Sequence, residues 1–245
     1  MLGRVASRYV RSYNLRPLHT TSSNIVRQNL RNLLRETAQP VAIVTFLMPG
    51  PHRGAHGTHS SSPLHFHGAT LSSFTSIAMD PHPLVAFSLR IPSRMATQLQ
   101  DAHRNYAHWA THMVVNLLSA AQAYTAIRFS RVDLHPHPFE EVKYTLSEEG
   151  LPILDGSLGA LSCKLVAASW PLHDLESLKH GRKEMTPAWE GEGAASELFI
   201  AEVTRVESVR SLNEQDTNEQ IPLIYHRRGY ATTCEITPHP TSSGP

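Results

Sequence analysis

Residues 68–89 read GATLSSFTSIAMDPHPLVAFSL, and the change of character along this stretch decides the fold class. In its first half Ala69, Leu71, Ser73, Thr75 and Ile77 fall on one face of an extended chain, and Thr70, Ser72, Phe74, Ser76 and Ala78 on the other. Both faces mix apolar and polar groups, so neither is purely a core face. Asp80-Pro81 and Pro83 supply turn chemistry, because proline fixes φ and has no N–H to give to a ladder. Residues 84–89, LVAFSL, follow as an apolar run of strand length. The two halves read as an antiparallel hairpin. Later runs over 158–170, 197–209 and 221–231 alternate well enough to be further half-buried strands, with a short one near 142–146.

Hydroxyls at Thr70, Ser72 and Ser73, beside exposed backbone amides, suit the ribityl chain and phosphate of a flavin, which need several short donors and little side-chain bulk. The same residues also read as a Ser/Thr-rich edge strand that binds nothing. Downstream, Ser93 is placed to cap a short helix starting at Arg94. A helix N-terminus offers unpaired amides and partial positive charge to a phosphate, and Arg90 or Arg94 adds charge-assisted bonds; an ordinary capped surface helix is the alternative. Ser119-Ala120-Ala121-Gln122 has the form of a capping box that opens a second helix.

Taken in order, these segments resemble the flavin reductase-like family, whose members fold as an FMN-binding split β-barrel. Pro40-Val41-Ala42-Ile43-Val44-Thr45 resembles its first barrel strand, Gly68-Ala69-Thr70-Leu71-Ser72-Ser73-Phe74 its flavin-contacting strand, and Asp80-Pro81-His82-Pro83-Leu84-Val85 the turn that follows. Val115-Asn116-Leu117-Leu118, with Gln122 and Phe129, resembles the strand-then-helix segment. Leu151-Pro152-Ile153-Leu154 and the runs 160–165, 198–203 and 222–225 keep the family order, so the resemblance covers residues 38–231.

The resemblance implies a mainly β fold with peripheral helices, arranged as a split β-barrel. It implies FMN as cofactor, with Thr70, Leu71, Ser72 and Ser73 on the ring edge and ribityl chain, and Ser88, Leu89, Arg90, Ser93 and Arg94 at the phosphate end. Phe129 is a flavin contact by the same analogy and a core aromatic by its own chemistry. NADH or NADPH would supply hydride, and free flavin, oxygen or an oxygenase partner would receive electrons. A homodimer is expected, since such barrels complete the flavin site with a second subunit. On this reading, replacing Ser72 and Ser73 together by alanine strips bound flavin and spares the fold. One departure stands out: many members carry Gly-Asp-His where this chain has Ala194-Ala195-Ser196. That loss leaves open a second function class, a non-enzymatic split-barrel protein serving as an assembly or interaction module.

Charge is distributed unevenly. Arg4, Arg8, Arg11, Arg16, Arg27, Arg31 and Arg35 all precede the first acidic residue, Glu36, which leaves 15 basic against 21 acidic residues in the remainder. An acid-free, Arg-rich start with apolar Leu2, Val5, Tyr9, Val10, Tyr13 and Leu15 between the arginines, and Ser/Thr in 20–23, has the character of a mitochondrial transit peptide. A basic nucleic-acid arm is the competing reading, but no basic stripe continues into the body. The expected organisation is therefore a targeting or disordered arm over 1–35, a split-barrel domain over 36–236 and a disordered tail over 237–245, with a mitochondrial matrix location and no nucleic-acid partner. No apolar run reaches the roughly 20 residues that span a bilayer.

Only Cys163 and Cys234 are present, neither in metal-ligand spacing, which agrees with a reducing compartment. His52, His56, His59, His65 and His67 crowd the segment before the quoted stretch. Without acidic or cysteine partners in a Gly/Ser/Pro-rich loop they predict no metal site. A Ser-His-Asp hydrolase lacks its GxSxG elbow, and a dinucleotide-binding domain its GxGxxG turn. The insertion over 173–193 reads as a solvated loop.

Overall fold

The computed structural model describes residues 19–48, 65–105, 108–167, 169–180, 195–212 and 217–235. Most of the expected presequence, the histidine-rich loop, most of the insertion and the C-terminal tail lie outside these residues. The chain divides into two compact units, Met1–Thr37 and Ala38–Pro245. In the first, α1 (His19–Arg35) carries Val26, Leu30 and Leu33 along one side and Arg27, Arg31 and Arg35 along another, with all of these residues exposed. No helix among the described residues is long and apolar enough to cross a membrane.

The second unit is built from antiparallel strands. Its elements are β1 (Gln39–Pro40), β2 (Ala42–Met48), β3 (His65–Leu71), β4 (Thr75–Ala78), β5 (Leu84–Ile91), α2 (Arg94–Asn105) and β6 (Met113–Leu117). They continue with α3 (Ala123–Ser130), β7 (Tyr144–Leu146), β8 (Pro152–Leu154), β9 (Gly159–Leu165), β10 (Trp170–Pro171), α4 (Leu175–His180), β11 (Ala195–Glu207), β12 (Leu223–His226) and β13 (Gly229–Thr232). The main sheet runs β3-β2-β6-β9-β11-β5-β4, with β10 on β11; β1-β12-β13 and β7-β8 form smaller sheets.

The interior strand β2 is buried on both faces, as its run AIVTFLM, apolar except for Thr45, requires. Ala42, Val44 and Phe46 enter the larger core with Phe87 and Phe199, whose rings stack 5.5 Å apart, while Ile43 enters a second core with Leu118, Phe129 and Leu223. Helix α2 buries Met95, Ala96, Leu99 and Ala102, one stripe of its surface, in the larger core. Its start is set by Ser93, whose Oγ accepts the Ala96 N–H at 3.1 Å, as the sequence predicts. The capping reading of Ser119 also holds: Gln122 Oε1 accepts the Ser119 N–H at 3.1 Å, and Ser119 Oγ donates to the Gly156 carbonyl at 2.7 Å.

Buried Asn116 fastens the β7-β8 hairpin to the sheet. Its amide donates to the Ile43 carbonyl and to Thr45 Oγ1, and its Oδ1 accepts the Leu154 N–H at 2.8 Å; Thr45 Oγ1 donates to the Pro152 carbonyl at 2.6 Å. Each buried polar atom in this clamp would cost about 1–3 kcal/mol if left unpaired.

The hairpin expected across residues 68–89 needs correction. The first run breaks at 72–74 into β3 and β4, and only β4 pairs with β5; β3 pairs with β2 at the far end of the sheet. The sheet curls until β3 and β5 approach each other. Ser73 Oγ accepts the Ser88 N–H at 2.9 Å and donates to the Ser88 carbonyl at 3.1 Å, replacing a ladder pair. The β4-β5 ladder is thus carried on by a hydroxyl at the point where the chain leaves β3. Close by, Gly68 lets the Phe129 ring lie against β3, since a Cβ there would come within 2.6 Å of it. Removing the Ser73 hydroxyl costs Ser88 this partner, so the double Ser72/Ser73 replacement carries a stability cost of about 1 kcal/mol beside its effect on the cleft.

Charge closes a third junction. Arg205 on β11 holds Glu149 and Glu207, both at 2.7 Å, and Glu148 at 3.1 Å, joining the β7-β8 turn to the sheet; Glu207 also accepts from Ser162 Oγ. The Arg205 guanidinium keeps the Glu149 carboxyl below the usual glutamate range.

Two outcomes are expected in urea unfolding. Ser73→Ala lowers stability by about 1 kcal/mol and Gly68→Ala by about 1–3 kcal/mol, whereas Ser72→Ala leaves it within about 0.5 kcal/mol. Arg205→Met costs about 1–2 kcal/mol at neutral pH because the carboxylates it leaves are only partly desolvated. Because the native Glu149 pKa is depressed, that contribution is present above the ordinary glutamate value and is lost as pH falls through the native one. The gap between wild type and Arg205→Met therefore narrows on acidification.

Candidate functional site

The splitting of the barrel opens a cleft of about 760 Å³, within the range of small-molecule sites. Its walls come from the end of β3 and the break after it, the end of β5, the first turn of α2, the end of α3 with the following loop, and Ser196 on β11. All nine residues singled out from the sequence, Thr70, Leu71, Ser72, Ser73, Ser88, Leu89, Arg90, Ser93 and Arg94, line this one cleft.

Their side chains are not equally available. Thr70 Oγ1 donates to the Ala126 carbonyl at 2.8 Å, anchoring α3 to β3, and keeps only its acceptor capacity for a ligand. Ser73 is spent on Ser88. Leu71 is buried in the core and Leu89 nearly so, so they offer the cleft backbone and apolar surface. Ser72 is half-buried with its hydroxyl uncommitted among the described residues, and Ser93 accepts a capping bond but retains its proton to donate. Phe129 is a buried core aromatic, as its own chemistry suggests, and it also forms part of the cleft wall.

The electrostatics are lopsided. Neither Arg90 nor Arg94 has an ion-pair partner among the described residues, and both are exposed at the cleft. The single acid lining it, Asp133, is held bidentate by Arg131, with Nε at 3.0 Å and Nη2 at 2.8 Å, which lowers the carboxyl pKa and offsets its charge. The N-terminus of α2 adds its partial positive charge. The cleft thus offers an anion site at one end and free hydroxyl and backbone groups at the other, which is the donor set a phosphorylated, polyhydroxylated ligand requires. FMN fits that set: Arg90, Arg94 and the Ser93 turn suit its phosphate, and Ser72 with the β3 and β5 backbones suits the chain and ring edge.

Several lining residues carried weaker sequence signals. His67 shares a face of β3 with Ala69 and Leu71, but the five crowded histidines obscured it. Asp133 and Val132 belong to a proline-punctuated loop without periodicity, and Ser196 reaches the cleft by pairing opposite Arg90 across β11 and β5. Ser196 ends the triplet that replaces Gly-Asp-His; Ala194 lies outside the described residues. Burial pushes the Cys163 thiol up to about 12, which fits an inert core residue. Among the described residues no group of three or more His, Cys, Asp or Glu side chains is arranged to hold a metal ion.

Comparison with known proteins agrees with the geometry. A model of the flavin reductase like domain matches residues 34–233. A flavin reductase of Pseudomonas putida is 35% identical over 169 residues, covering 69% of this chain and 75% of that protein. The FMN reductase (NADH) SmoA of Agrobacterium fabrum is 32% identical over 101 residues, 41% of this chain, and the match spans only 51% of SmoA's length. Among solved structures, the styrene monooxygenase flavin reductase SMOB of Pseudomonas putida S12 is similar in fold, with a TM-score of 0.54 at 21% identity over 85% of this chain and 99% of that one. The curled antiparallel sheet is shared in fold with that reductase, and the chain belongs to the flavin reductase-like domain family.

Proposed function

We propose that this protein is an FMN-binding oxidoreductase that takes hydride from NADH or NADPH. The observation that carries the reading is the pair of guanidiniums, Arg90 and Arg94, without ion-pair partners among the described residues, set at a capped helix N-terminus in the cleft that the barrel split creates. The names of the matched relatives, flavin reductase and NADH-dependent FMN reductase, support the same reaction class.

The chemistry a flavin supplies when bound is acceptance of hydride from a reduced nicotinamide and onward delivery of the electrons. The chain's own part is to bind and align. Arg90, Arg94 and the first turn of α2 hold the phosphate end, Ser72 and the β3 and β5 backbones fix the rest of the ligand, and Phe129 and Met95 give the cleft apolar wall. Hydride transfer between two aligned rings needs no protein acid or base, so Ser196 in place of the family histidine is compatible with turnover.

The same reading includes a homodimer, a mitochondrial matrix location reached through the basic arm over 1–35, and free flavin, oxygen or an oxygenase partner as electron acceptor. The acid-free arginine run supports the location. The dimer rests on the family resemblance, and an oxygenase acceptor on the name of SMOB.

The purified full chain is expected to show a bound-flavin absorbance spectrum, directly or after addition of FMN, that bleaches on anaerobic addition of NADH or NADPH. Arg94→Ala and Ser72→Ala should each weaken FMN binding about tenfold, the value of one lost charge-assisted or neutral hydrogen bond. A colourless protein that FMN does not reconstitute would overturn the proposal in favour of an interaction module.

A further inference from the structure

His67 is the titratable side chain of the cleft to which the binding of ring, chain and phosphate assigns no task. It lies on β3, partly buried, with its imidazole free of any hydrogen-bond partner among the described residues. Its neighbourhood is cationic. Arg94 of α2 is close enough for its charge to act on the ring, and Arg90 of β5 lines the same cleft. From the loop after α3 comes Asp133, whose two oxygens are both taken by Arg131. From β2 comes Phe46, the register partner of His67, and from the ends of the helices Met95, Phe129 and Ser130, none of which titrates in the neutral range.

We propose that His67 couples binding of a phosphate monoester to uptake of one proton from solvent, making this chain selective for phosphorylated over unphosphorylated flavin as pH falls. The inference rests on the phosphate end of FMN lying at Arg94 and the α2 N-terminus. In the free protein, burial and the Arg94 charge both disfavour imidazolium, which keeps the His67 pKa below its ordinary value. A dianion between Arg94 and His67 reverses that balance, because it offsets the arginine charge and accepts a charge-assisted hydrogen bond from imidazolium. The bound-state pKa is then higher than the free-state pKa. Between the two values binding takes up a proton at His67 and affinity rises as pH falls, until protonation of the phosphate monoester itself, with a second pKa near 6, opposes the gain. Each unit of separation corresponds to about a tenfold change in affinity.

The test is calorimetric titration of the full chain with FMN and with riboflavin, near pH 7, in two buffers of different ionisation enthalpy. FMN binding is expected to take up a fraction of a proton and riboflavin binding none. The ligand cannot account for that sign: a phosphate monoester with a second pKa near 6 releases protons when bound as the dianion. Proton uptake should vanish in His67→Gln, and in the wild type the imidazole resonance of His67, followed by NMR, should titrate at higher pH with FMN than without. Binding of both flavins without net proton uptake, or with an unmoved His67 titration, would overturn the role of His67 while leaving the flavin site standing. Failure of FMN to bind would remove the underlying reading and this proposal with it.

Discussion

β3 and β5 are close in sequence yet lie at one end and next to the other end of one sheet, and they meet only because that sheet curls through β2, β6, β9 and β11. No ladder joins them where they meet, and the cleft opens there. On the β5 side the ladder with β4 is carried past Thr75 by the Ser73 hydroxyl, which takes the place of a backbone pair opposite Ser88. Gly68 and Phe129 brace one edge and the Ser93-capped start of α2 the other.

Charge is divided between scaffold and cleft in a way that makes the second comprehensible. Arg205, Arg128 and Arg131 are each committed to carboxylates, tying turns and loops down. Arg90 and Arg94 have no such partner among the described residues, although the body of the chain has acids in excess. Leaving two guanidiniums and a helix N-terminus unneutralised in one concavity stores electrostatic work that an anion recovers on binding. This is the physical ground for the proposal that the cleft receives a phosphate.

Much of this was legible in the sequence, and what was not has a common cause. The apolar runs of β2 and β5, the Ser93 and Ser119 caps and the inert Cys163 are local features, and local chemistry determines them. The nine residues picked for the cleft were legible because they cluster in two short segments. Pairing was not: alternation reports which face a side chain occupies but carries no label for the partner strand, so residues 68–78 read as one arm of a hairpin. The role of Thr70 was hidden for the same reason, since its partner Ala126 is set by long-range packing, whereas Ser73 meets Ser88 in the register of the local β4-β5 hairpin. His67, Asp133 and Ser196 enter the cleft from three separate segments, and nothing local to any of them announces the other two.

The central claim is spatial: ligand binding is confined to the cleft that opens where β3 and β5 meet. Hydrogen–deuterium exchange of the full chain with and without saturating FMN tests it most directly. Slower exchange is expected in peptides covering residues 68–74 and 88–96 together, with little change in those covering the Arg205 junction. Protection confined to other segments, or none at saturating FMN, would contradict the account.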